Sequence, residues 1–196
     1  MQNNSKYKII LASGSPRRQQ FFKDMGFPYT IDLKPVDEVY PTHLKGPEIT
    51  NYLALLKANA FDGFLKSDQV VVTSDTLVWH ENKALGKPKD AQEAFDMLSS
   101  LSNATHSVFT SVCFKTLETS FVFFEESKVT FGVLTPEMIQ YYIDNYQPFD
   151  KAGSYGIQEW IGEVGITKID GSYTNIVGLP VSLVYTKLNE LLYDHD

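Results

Sequence analysis

One cysteine in 196 residues, Cys113, leaves no intramolecular disulfide to form. That fits a reducing compartment, and the cytoplasm is the expected location. Cys113 lies in the apolar run SVFTSVCF, where a buried, inert strand thiol is expected. No run approaches the roughly 18 apolar residues of a membrane span. The opening MQNNSKYKIILASGS holds only a short apolar stretch, so no signal peptide and no membrane partner are expected. Positive charge is also scarce: 17 Lys and Arg against 24 Asp and Glu give a formal net charge of -7. This argues against a nucleic-acid partner, which needs a basic face, but not against a small anion held by a few local cations. His43, His80, His106 and His195 stand at no metal-ligand spacing, which argues against zinc. The phosphate loop GxxxxGK[ST], the dinucleotide loop GxGxxG and the GxSxG nucleophile elbow are all missing.

What is present suits a soluble globular chain, with 43% hydrophobic and 21% charged residues. We read one domain over residues 1–196, two lobes around a cleft, with no repeat or linker. Tyr7 to Ala12 reads as a buried strand. Ser15-Pro16 opens a helix to about Met25, with Gly26 as its stop. Phe27 to Leu33 is a second strand, followed by the polar loop KPVDEVYPTHLKG. Pro47 to about Phe64 is a helix with Ile49, Leu53, Leu56, Ala60 and Phe64 on one face. Val70 to Val72 begins a central strand that ends in TSDT, and Leu77 to His80 with ENKALGKP forms a hairpin. Asp90 and Glu93 form a capping box for a helix to Ser99. Thr105 to Thr116 and Ser120 to Leu134 are long strands joined through KTLETS. Thr135-Pro136-Glu137 starts a helix to Tyr146. Asp150 to Pro180 lacks periodicity and reads as a long irregular region, and Pro180 to Tyr193 is a closing helix. The mixture gives an α/β fold with a mixed sheet.

The charges are placed oddly in LASGSPRR. A helix N-terminus carries partial positive charge and unpaired N–H groups, and it ordinarily attracts Asp or Glu. Here Arg17 and Arg18 occupy the first turn, either as two solvated arginines or as the holders of a phosphate. Lys57 lies at the edge of the apolar face of its helix, as a snorkelling lysine or as a ligand-facing one. Asp75 stands where the central strand ends, as a turn cap or at the crevice where open α/β sheets meet ligands. Asp37-Glu38 adds acids in the loop after the second strand, and Lys87 sits in the Gly/Pro turn LGKPKD. Two carboxylates and several cations together suggest a divalent ion holding a polyphosphate.

These motifs together resemble the Maf family of nucleoside triphosphate pyrophosphatases over nearly the whole chain. LASGSPRR is similar to the family's opening signature, with Ser13, Arg17 and Arg18 at its functional positions. VDE, LLKANA, SDT and LGKP place Glu38, Lys57, Asp75 and Lys87 on the family's loop glutamate, helix lysine, general base and hairpin lysine. HSVFTSV, FDKAGSYGIQ and GSYTNIVGLP resemble its later signatures. The form YGIQ, with Gln158, is similar to the branch acting on dTTP and UTP, in which Arg17, Thr76 and Gln158 stand at the specificity positions. The resemblance implies a mixed twisted sheet flanked by helices around a nucleotide cleft, as in Maf and inosine triphosphate pyrophosphatase-like folds. It implies a divalent metal, Mg or Mn, on Glu38 and Asp75. The substrate would be a nucleoside triphosphate bound by Ser13, Arg17, Arg18, Lys57, Thr76, Lys87 and Gln158. A homodimer and a house-cleaning role are implied as well. An inosine-type pyrophosphatase and a non-catalytic nucleotide-binding regulator are the alternatives. Two departures stand out: Thr73 replaces a small residue before SDT, and EWIGEVGI follows YGIQ in place of a Gly-led turn, so that Glu159 and Trp160 are expected to reshape the base pocket and bear on the base preference.

Overall fold

The structure, a computed structural model, describes residues 5–193. His195 lies outside the described residues. Strands β1 (Lys8–Leu11), β2 (Tyr29–Ile31), β3 (Gln69–His80), β4 (Lys83–Leu85), β5 (Thr105–Lys115), β6 (Ser120–Phe131) and β7 (Ile166–Asp170) form one mixed sheet. Its order is β2-β1-β3-β5-β6-β7, with β4 on β3. β1 runs parallel to β2 and β3, and the remaining pairs are antiparallel. The helices are α1 (Pro16–Met25), α2 (Pro47–Asn59), α3 (Ala91–Leu101), α4 (Pro136–Tyr146), α5 (Trp160–Gly165), α6 (Tyr173–Val177) and α7 (Val181–Leu192). None of the described helices is long and apolar enough to cross a membrane.

The core follows from strand alternation. Ile9, Leu11, Val70, Val72, Val112 and Phe114 face α1 and α7, where they meet Phe22, Met25, Val184 and Leu188. Ile10, Val71 and Cys113 face the other way, onto Ala54 and Ala58 of α2. Burial pushes the Cys113 thiol up to about 12, so it stays an inert thiol. At the far end of the long strands Val78, Val108, Val129 and Phe131 pack on α3 and α4. Each fully buried side chain of this kind contributes about 1.5–3 kcal/mol.

α1 begins and ends where the sequence places it, with Pro16 in the first turn and Gly26 left-handed at φ 77°. The Asp90 cap accepts from the Glu93 N–H at 2.8 Å, and the Glu93 carboxylate reaches back to the N–H of Lys89 at 2.7 Å. Three expectations change. α2 stops at Asn59, and Phe64 is 67% exposed, because the buried stripe runs through Ile49, Thr50, Leu53, Ala54 and Ala58. Residues 150–180 are ordered, holding a 3-10 turn at Ala152–Ser154 as well as α5, β7 and α6. Their partners are tertiary: β7 is a mostly exposed edge strand on β6, so it carries no alternating pattern to read. Third, β3 does not end at TSDT but runs on without a break to His80.

What ends there is its neighbour. β1 pairs with β3 up to Leu11↔Val72, and β4 resumes on the same side at Val78↔Leu85. Between them Thr73 to Leu77 is paired only with β5 on the other side. Arg18 fills part of this gap. Its guanidinium donates to the Ser74 carbonyl at 3.0 Å, to Thr76 Oγ1 at 3.0 Å and to the Gly178 carbonyl at 2.8 Å. A side chain therefore satisfies backbone that a strand would otherwise cover.

His106 closes the other end of the core. It is 2% exposed, bonded through Nε2 to the Tyr155 hydroxyl at 2.7 Å and stacked on Phe131. Burial, with His80 nearby, lowers its pKa to about 3. The neutral imidazole is thus built into the fold.

Arg18→Lys keeps the charge but not the fork, and we expect it to lower unfolding free energy in urea by about 1–3 kcal/mol. For His106, the unfolded chain takes up a proton below the ordinary value of 6.5 while the folded chain does so only near 3. Stability therefore falls as pH drops through that window, by up to about 1.4 kcal/mol per pH unit. His106→Gln should flatten the melting temperature against pH between 6.5 and 4, which thermal melts at stepped pH would show.

Candidate active site

The gap on β3 opens into a cleft of about 970 Å³. Its floor is Ser74 to Val78, and its walls are the β1–α1 loop, α2, the turn after β4 and residues 150–158. Ser13, Arg17, Arg18, Glu38, Lys57, Asp75, Thr76, Lys87 and Gln158 all line it. Residues scattered from the first strand to the late loops therefore meet in one place.

α1 points its N-terminus into this cleft. Its cap, Ser15, makes no side-chain cap bond, and no acid stands in the first turn. The loop before it is held from inside: buried Ser13 accepts from the Ser15 N–H at 3.3 Å, and Gln19 donates to the Ser13 carbonyl at 3.0 Å. Arg17 reaches across to Asp150 at 3.4 Å. Arg18, which the sequence assigns to the triphosphate, spends one N–H from each of its three nitrogens on the protein. Burial lowers its pKa, and the nearby Asp75 opposes that shift.

β3 alternates across the floor. Asp75 faces α2, where Lys57 Nζ lies 2.7 Å from Asp75 Oδ1 and 3.1 Å from Glu38 Oε2. Asp75 is only 8% exposed, so this ammonium compensates a carboxylate held largely away from water. Lys57 is thus turned into the cleft rather than along the helix surface. Thr73, on the same face, donates to the Ala54 carbonyl at 2.6 Å, which explains how a hydroxyl is accommodated there with no exposure. Thr76 faces the opposite side and joins Arg18 to Thr110, at 3.0 and 2.9 Å; Thr110 in turn donates to the Asn175 carbonyl at 2.9 Å. Lys87 and Gln158 are exposed on the rim.

Among the described residues no three His, Cys, Asp or Glu side chains converge as a metal cage. Glu38 and Asp75 do converge, on the single ammonium of Lys57. Two carboxylates with the remaining positions left to water and phosphate is the donor set that suits Mg²⁺.

Sequence reasoning passed over the residues that brace this cleft. Asp150 and Lys151 stand in FDKAG, and Tyr142 lies on α4. Lys151 Nζ is 2.7 Å from Asp150 Oδ1 and 3.1 Å from Glu159 Oε1. Neither Glu159 nor Trp160 lines the cleft: Trp160 packs on Tyr141, with ring centroids 4.8 Å apart, and Glu159 turns to Tyr142. A Lys-Asp pair in a Gly/Ser-rich stretch gives no periodic signal, and only the fold brings Asp150 to Arg17.

The family model described as Maf-like protein matches residues 8–191. The dTTP/UTP pyrophosphatase of Flavobacterium johnsoniae is 61% identical over 187 residues, covering 95% of this chain and 96% of that protein. The protein of the same name from a Bacteroides fragilis strain is 47% identical over 190 residues, covering 96% and 98%. Among solved structures, the Staphylococcus aureus Ham1 protein superposes with a TM-score of 0.56 at 14% identity, over 93% of this chain and 98% of that one, a likeness of fold alone. With a family match along nearly its whole length and relatives well above 30% identity, the chain belongs to the Maf family.

Proposed function

We propose that this protein is a nucleoside triphosphate pyrophosphatase that hydrolyses dTTP and UTP to the monophosphate and pyrophosphate. The relatives' names support the substrate class. The observation that carries the chemistry is the Asp75–Lys57–Glu38 cluster, set beside an uncapped helix N-terminus flanked by Arg17. A cytoplasmic, house-cleaning role goes with this reading.

In the reaction, water attacks the α-phosphorus and the bond to the bridging oxygen breaks, so pyrophosphate leaves. Asp75 orients that water and takes its proton. The N–H groups of α1, with Arg17, Lys57 and Lys87, hold the triphosphate and neutralise charge developing on the leaving group. Arg18 contributes mainly by keeping Ser74, Thr76 and the Gly178 backbone in place. Gln158 offers one donor and one acceptor to the O4/N3–H edge of uracil or thymine. Glu38 and Asp75 would hold a divalent ion, which supplies Lewis acidity and a template for phosphate oxygens.

Asp75→Asn keeps the shape and the bond to Lys57 but not the base. Turnover should fall by about a thousandfold, while nucleotide affinity measured by calorimetry stays within a few-fold. Pyrophosphate release should be fastest from dTTP and UTP in a panel with CTP, 7-methyl-GTP and ITP. It should stop on chelation and return with Mg²⁺ or Mn²⁺. A preference for ITP would favour the inosine-type activity, and tight binding without release would favour a non-catalytic nucleotide-binding protein.

A further inference from the structure

The turn that presents Gln158 is braced by a chain of polar contacts that starts at the base end of the cleft and finishes at the phosphate end. The Gly156 N–H donates to the Tyr142 hydroxyl at 2.9 Å. That hydroxyl donates to Glu159 Oε2. Burial and the adjacent Glu159 carboxylate raise the Tyr142 pKa, so the proton stays on oxygen. Glu159 Oε1 meets Lys151 Nζ at 3.1 Å, Lys151 meets Asp150 Oδ1 at 2.7 Å, and Asp150 Oδ2 meets Arg17 at 3.4 Å.

The backbone closes the same turn, since the Glu159 N–H donates to the Gly156 carbonyl at 3.0 Å. The Glu159 carboxylate then folds back over Gly156 so closely that a Cβ there would lie 2.7 Å from Cδ. Glycine leaves the room this fold-back needs. Tyr155, one residue earlier, is held through its hydroxyl by buried His106 at 2.7 Å. Gln158, between these two anchors, is exposed on the cleft rim.

We propose that Glu159 is a positioning residue for base recognition: its carboxylate, shared by Tyr142 and Lys151, fixes the Gly156–Gln158 turn and sets its place relative to Arg17. This rests on the reading that Gln158 meets the base. Only a carboxylate accepts from the tyrosine hydroxyl on one oxygen and pairs with the lysine on the other. An amide of the same shape either turns its NH₂ toward Lys151 and loses that pair, or turns it toward the Tyr142 hydroxyl, which reverses the bond and leaves the hydroxyl proton without this acceptor. The substrate class affected is the pyrimidine triphosphates, because the base edge is what a displaced Gln158 would misread. The phosphates keep the supports that lie off this chain of contacts, the N–H groups of α1 with Lys57 and Lys87, and Arg17 joins the chain only through its 3.4 Å contact with exposed Asp150.

The test is steady-state pyrophosphate release from UTP, dTTP and CTP by the wild type, Glu159→Gln, Tyr142→Phe and Gln158→Ala, each with a thermal melt. Glu159→Gln should raise KM for UTP and dTTP about tenfold with kcat within about twofold, and it should narrow the preference for UTP over CTP. Tyr142→Phe, which removes the same link without touching the charge, should move both quantities the same way. Should Gln158→Ala erode the preference while Glu159→Gln and Tyr142→Phe leave KM and preference at wild-type values, the positioning role is overturned and the base reading stands. A fall in kcat alone, with preference intact, overturns it as well. If Gln158→Ala itself leaves the preference unchanged, the base reading has failed, and the inference falls with it.

Discussion

The candidate active-site cleft depends on a discontinuity in one edge of a strand. β3 is paired along most of its length with β5, but on the other side β1 leaves it at Val72 and β4 joins only at Val78. A central strand with five residues bare on one side exposes backbone donors and acceptors that must be satisfied. The protein satisfies the Ser74 carbonyl with Arg18 and leaves the remaining space as the cleft. Because β5 pairs with β3 from Val71 to Trp79, the floor stays extended even where its other neighbour is missing. Asp75 and Thr76 are adjacent in sequence and so point to opposite faces of that floor. One meets α2, the other the α6 end, and a ligand lying in the gap can touch both.

This arrangement also explains the arginine pair. Arg17 and Arg18 share a helix turn but have different environments. Arg18 is drawn into the sheet, where three protein acceptors converge on it. Arg17 stays nearer the surface, with one long contact to a largely exposed aspartate. A surface pair of that kind contributes at most about 1 kcal/mol, so Arg17 can exchange Asp150 for a phosphate at little cost. Removing Arg18 from its three acceptors would leave each of them short of a donor. The two residues are alike in sequence, and burial separates the arginine held by three protein acceptors from the one left nearer the surface.

Much of the fold was legible because local chemistry and tertiary structure agree. Pro16 and Gly26 bracket α1, Asp90 caps α3, Thr135 caps α4, and the β-branched runs of β5 and β6 form the expected hairpin. The candidate site was legible at the residues that carry motif chemistry, and all of those line one cleft. What stayed hidden depends on long-range pairing. The TSDT segment looks like a strand end because Ser and Asp are turn formers; β5 keeps it extended by pairing through Leu77↔Phe109. Residues 150–180 look irregular because α5 and α6 are short and β7 buries little. The brace through Lys151 and Glu159 needs α4 beside it, and no spacing in the sequence encodes that contact.

An acidic chain that binds a polyanion must keep its acids and its ligand apart, or place cations between them. Here Lys57 stands between, within 3.1 Å of both Glu38 and Asp75. Without a ligand its ammonium answers the two carboxylates. Under the proposed function Glu38 and Asp75 would hold a divalent ion, and Lys57 would then be available to the phosphates. The pairing with half-exposed Glu38 is screened by water and contributes at most about 1 kcal/mol, whereas the pairing with Asp75 is screened less. Losing a partner of buried Asp75 would leave a carboxylate uncompensated, whereas exchanging one cation for another would not. Lys57 would therefore keep the site compensated in both states, and a net charge of -7 over the whole chain does not prevent anion binding in a cleft lined by Arg17, Lys57 and Lys87.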